Sequence, residues 1–134
     1  MTDVFTVQSW LDSFPLHEPL RPHLTKVMLG LPEHVRFELM HDPAFVLYDY
    51  EPHPTAGTEI PLRMIGGKSG RSVVLKRTLT HRPEPFIRWV IAHELAHAHL
   101  RNRGRTITED PEHAADALAA MWGFPKPPRG GWGG

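Results

Sequence analysis

Along the chain, the spacing of hydrophobic positions first favours short helices, then a strand region, then two longer helical stretches. Val7, Trp10, Leu11 and Phe14 recur at helical spacing within 6–14, and Pro15 closes that stretch. Residues 20–30 read as a second helix stopped by Gly30. Residues 32–41 read as a third, with Pro32 in its first turn and Val35, Phe37 and Leu39 partly buried. Asp42-Pro43 breaks it. Residues 44–50 (AFVLYDY) are rich in β-branched and aromatic side chains and predict a strand, and 51–59 predict a loop. Two further strands are expected over 60–65 and 72–79, flanking the glycine-rich stretch 66–71.

The longest pattern covers 84–103, with Pro85 in its first turn and Gly104 placed to cap it. The last helix covers 111–122, with Asp110 as N-cap, Pro111 at the first helical position and Gly123 as the stop. These elements make one domain over 1–124. Residues 125–134 (PKPPRGGWGG) are expected to form a flexible tail. The fold class is α+β: N-terminal helices, a small mixed sheet of about three strands, and two C-terminal helices.

Composition narrows the chemistry. Acidic and basic residues number 15 each, so no strong field draws the chain to nucleic acid or an anionic membrane. Neither partner is expected. The absence of cysteine excludes disulfides, thiolate metal ligands and cysteine nucleophiles. Any metal must be held by His, Asp or Glu. No apolar run approaches membrane-spanning length, and the first residues lack a secretion signal, so a cytoplasmic location is expected.

The candidate chemistry sits on the 84–103 helix as His93-Glu94-Leu95-Ala96-His97. Histidines four apart lie one turn from each other on one side of a helix and can reach a single ion. Glu94 is rotated about 100° from His93, so it flanks that ion as a general base must. Phe86, Trp89, Val90 and Leu100 share the face of the two histidines, and Ile87, Ile91, Leu95 and Ala98 line the opposite face. A strip through Arg88 and His99 is expected to be wet. Histidines set in an apolar surface need partners, and a metal is one.

A catalytic zinc takes three protein ligands. Glu112, in the first turn of the next helix, is the expected third, with His113 the alternative. Asp116, four residues after Glu112, is placed to accept the second N–H of a ligand histidine and fix its orientation. Acids in a first helical turn are also favoured by the helix dipole alone. His17, His23, His34, His41, His53 and His81 are expected to be structural or exposed, and His99 points away from the motif.

HELAH followed by Glu112, Ala115 and Asp116 resembles the HExxH and ExxxD elements of gluzincin zinc metallopeptidases, closest to their minimal core, the minigluzincins. The resemblance covers about residues 72–122. It implies a zincin-like fold in which His93, His97 and Glu112 ligate Zn²⁺, Glu94 is the catalytic base and Asp116 orients a ligand. It implies further that a peptide or protein substrate lies along 72–79 as an added strand. Tyr48, Tyr50 and His113 are the candidates for stabilising an oxyanion. The alternative to a metallopeptidase is a non-catalytic zinc-binding domain that acts as a protein-interaction module.

Overall fold

The computed structural model describes residues 3–50, 72–102 and 111–128. Helix α1 (Val4–Leu11) begins earlier than its hydrophobic pattern because Asp3 caps it. The Asp3 carboxylate accepts hydrogen bonds from the Thr6 backbone N–H (2.9 Å) and hydroxyl (2.8 Å), which holds its carboxyl below the usual range. A 3₁₀ turn (Glu18–Leu20) then leads into α2 (Arg21–Gly30). Helix α3 (Glu33–Met40) buries Val35, Arg36 and Leu39. The Arg36 guanidinium donates to the carbonyls of Met28, Leu29 and Leu31 at 3.1, 3.3 and 2.9 Å. It thus satisfies the open C-terminal end of α2. Phe37, expected to be partly buried, is 61% exposed and stacks on His41 instead.

Strands β1 (Val46–Tyr50) and β2 (Ser72–Lys76) pair in parallel, with Val46 opposite Ser72 and Tyr50 opposite Lys76. The described residues thus contain a two-stranded parallel sheet, not the mixed sheet of about three strands expected. Parallel neighbours need a long crossover, and residues 51–71 supply its length. The expected loop 51–59, strand 60–65 and glycine-rich stretch 66–71 lie outside the described residues. Strand 72–79 is shorter than expected, since a 3₁₀ turn (Arg77–His81) begins after Lys76. Arg77 leaves the sheet direction to donate from Nε to Asp49 Oδ1 at 2.9 Å, and the Thr80 hydroxyl closes the turn on Arg77 O.

Helix α4 (Glu84–Asn102) packs against β2, α2 and α3, and α5 (Pro111–Met121) packs along it. Ile87, Ile91, Leu95 and Ala98 are buried with Leu47, Val73 and Leu75 of the sheet in one core. The expected caps Gly104 and Asp110 lie outside the described residues. Gly123, at φ 96°, ends α5 in the left-handed region. Its N–H bonds Ala120 O at 3.0 Å, and the Phe124 N–H bonds Ala119 O at 2.9 Å, which together form a Schellman cap.

Of the expected tail, residues 125–128 are described; Pro125, Lys126 and Pro128 are exposed. Phe124 covers Gly30 so closely that a Cβ there would come within 2.7 Å of the ring, and Pro127 is buried. Residues 129–134 lie outside the described residues. No helix among the described residues is long and apolar enough to cross a membrane.

Candidate metal centre

Two helices build the site. On α4, Glu84 and Pro85 occupy the first turn, and the Ile87 N–H bonds Pro83 O at 3.0 Å. Ala92 and Ala96 on α4 and Ala115 and Ala119 on α5 are all buried. Small side chains at the helix contact let the two axes approach. Glu112 and Asp116 stand one turn apart on α5, three residues before Ala115 and Ala119, so the packing that buries the alanines brings the acids to α4.

The result is convergence. His93 Nε2 lies 2.9 Å from Glu112 Oε1, His97 Nε2 lies 3.0 Å from Glu112 Oε2, and the two Nε2 atoms are 3.2 Å apart. A tetrahedral ion with ligands at about 2.0–2.1 Å separates its ligand atoms by about 3.3 Å. The three side chains therefore form a group able to hold a metal ion. His113 is exposed and outside that group, so Glu112 is the third member.

Asp116 sets the chemistry of His93. Asp116 Oδ1 accepts from the Trp89 indole N–H at 2.9 Å and lies 2.8 Å from His93 Nδ1. A carboxylate oxygen accepts and does not donate, so Nδ1 carries a proton toward Asp116. Nε2 faces Glu112 Oε1 in the same way, and a cation bound between them would take the place of that proton and meet the Nε2 lone pair. Two imidazole lone pairs and a carboxylate, with no sulfur nearby, are donors suited to a divalent cation of the first transition row. His93 and His97 are buried, whereas the Glu112 side chain is 68% exposed, so the site opens toward solvent on the α5 side.

Glu94 is half-buried and lines a cleft of about 380 Å³ between β2 and α4. Val74, Lys76 and Leu79 form one wall, and Phe86, Val90 and Glu94 the other. The first part of 72–79 therefore runs beside Glu94. Tyr48 and Tyr50 pair in register with Val74 and Lys76 on the neighbouring strand.

Two polar features escaped the hydrophobic pattern. His99, expected on a wet strip, is buried, with Nδ1 2.9 Å from Glu38 Oε2. Helix α3 and Trp122 cover it, its partner lies 61 positions away, and no local spacing signals such a pair. Trp89, read as an apolar face residue, carries an indole N–H that ends on Asp116. Its position four residues before His93 was the available signal, because a buried indole N–H needs an acceptor.

Compared with protein-family models, curated proteins and solved structures, the chain shows no match.

Proposed function

We propose that this protein is a zinc-dependent metallopeptidase of the gluzincin type. The observation that carries the reading is the meeting of His93 Nε2, His97 Nε2 and the Glu112 carboxylate within 3.2 Å, with Asp116 bound to the other nitrogen of His93. Two nitrogens and a carboxylate fit zinc. His93, His97 and Glu112 would hold the ion, and a bound zinc supplies Lewis acidity toward a carbonyl and toward water.

The chain's own residues provide the rest. Asp116 keeps the His93 lone pair directed at the ligand group. Glu94 stands on the cleft wall, where its carboxylate takes a proton from water and returns it to the leaving amine nitrogen. Val74, Leu79, Phe86 and Val90 give the cleft an apolar lining that excludes water around an extended peptide beside β2.

The test is metal content and peptide cleavage by the purified chain and by Glu94→Gln. One zinc per chain in both proteins is expected, with cleavage slowed by a factor of about 10²–10⁴ in the variant. Equal cleavage by both would remove Glu94 from its role. Stoichiometric zinc without cleavage of any unstructured peptide would favour the non-catalytic interaction module.

A further inference from the structure

Trp89 stands one helical turn before His93 on α4, as His97 stands one turn after it. Its indole N–H and the His93 Nδ1–H both end on Asp116 Oδ1, at 2.9 and 2.8 Å. We propose that Trp89 is a positioning residue of the metal centre: its N–H fixes the Asp116 carboxylate, which in turn holds the Nδ1–H and the ring plane of His93. This assignment builds on the metal-binding reading of His93, His97 and Glu112.

A carboxylate with one donor would be free to turn. Asp116 is 31% exposed, so water competes for its oxygens. With the imidazole as sole donor, the carboxylate can turn and take its proton donors from solvent. Two donors converging on one oxygen remove that freedom. The Trp89 ring also lies beside the imidazole, with centroids 5.8 Å apart and planes tilted by 57°, which limits the swing of His93. The indole is itself held. Phe86 meets it edge-on at 5.4 Å, and the Lys126 ammonium lies 5.4 Å from the ring centre, a cation–π distance. Packing alone explains the ring. It does not explain why the N–H points to the one acidic oxygen that orients a metal-facing histidine.

A double-mutant cycle tests the assignment. Zn²⁺ affinity is measured by chelator competition for the wild-type chain, Trp89→Phe, Asp116→Ala and the double variant. Trp89→Phe keeps an aromatic ring and loses the N–H. It is expected to weaken zinc about tenfold, the lower end for groups that support metal ligands. On the Asp116→Ala background it is expected to add nothing, because the partner through which it acts is gone. The same loss on both backgrounds would reduce Trp89 to packing and overturn the proposal.

A second arm needs no metal. In the metal-free chain, ¹H–¹⁵N NMR reads the His93 Nδ1 proton that bonds Asp116. Wild type is expected to show it downfield and slow to exchange with water, and Trp89→Phe to show it broadened or lost. An unchanged Nδ1 proton in the variant overturns the proposal, even if wild type binds no zinc, a result that would by itself sink only the metal-centre reading. Should Trp89→Phe fail to fold, the wild-type indole proton decides. It is expected downfield and to move upfield in Asp116→Ala; the same position in both chains overturns the assignment.

Discussion

Of the three buried histidines on α4, His93 and His99 have the same immediate surroundings and different neighbours beyond them. His93 and His99 each set Nδ1 against a carboxylate, 2.8 Å from Asp116 and 2.9 Å from Glu38. Each has a tryptophan ring beside it, Trp89 in one case and Trp122 in the other. Beyond His93, a second imidazole nitrogen and a carboxylate come within 3.2 Å of Nε2. Around His99, the rings of His34 and Trp122 approach at 6.4 and 6.2 Å, and the three-ligand group found among the described residues does not include it. A carboxylate on Nδ1 only immobilises an imidazole. A cation site also needs other lone pairs at ligand-to-ligand distance from Nε2.

The largest contrast is expected from removing one imidazole at each place. His97→Ala should abolish stoichiometric zinc binding and with it the rise in melting temperature that zinc produces. That rise corresponds to about 4 kcal/mol at a thousandfold excess over Kd. His99→Ala should keep both, and lower the stability of the metal-free protein by about 1–3 kcal/mol through loss of the buried ring and of its contact with Glu38. Thermal melts with zinc and with a chelator read both effects. Loss of zinc in His99→Ala would erase the distinction.

A smaller contrast is expected at the two carboxylates. Asp116→Ala should weaken zinc by about 10–100-fold, as loss of an orienting partner does. Glu38→Ala should leave zinc affinity unchanged and appear only in denaturant unfolding. Equal zinc affinities in the two variants would show that Asp116 does not orient a ligand.

The smallest effect belongs to a third histidine that lacks a carboxylate clamp. Burial, with a contribution from the Arg88 charge, lowers the pKa of His23, and its Nδ1 meets no hydrogen-bond partner among the described residues. The unfolded chain therefore takes up this proton at higher pH than the folded one. The stability His23 contributes is complete above about pH 6.5 and fades as acidity increases through its lowered folded value. With chelator present, His23→Gln should lose less stability than wild type between neutral and mildly acidic pH. Identical losses would mean that His23 is as solvated folded as unfolded.

Much of the centre was legible because its information is local. Four-residue spacing on α4 placed His93 and His97 together, and the same spacing on α5 aligned Glu112 with Asp116. One cap was equally local: Gly123 ends α5 as its sequence position predicts. Features that depend on distant chain segments were not legible. Glu38 reaches His99 across 61 positions, and Arg36 turns back onto the carbonyls of α2. Phe37 sits at a spacing that reads as buried, yet neighbouring elements leave it in solvent. Trp89 failed differently: one side chain was both apolar surface and hydrogen-bond donor, and periodicity registers only the first property.

The contact of Lys126 with the Trp89 ring has a consequence for turnover of the protein. Phe124, wedged over Gly30, anchors that short C-terminal arm against α2. A nick near Pro125 would free the ammonium from the indole and leave the ring covered on one side less. Through Asp116, the looseness would reach the imidazole. Proteolytic trimming of this arm would then register as faster loss of any metal ion held by His93, His97 and Glu112, before any helix unwinds.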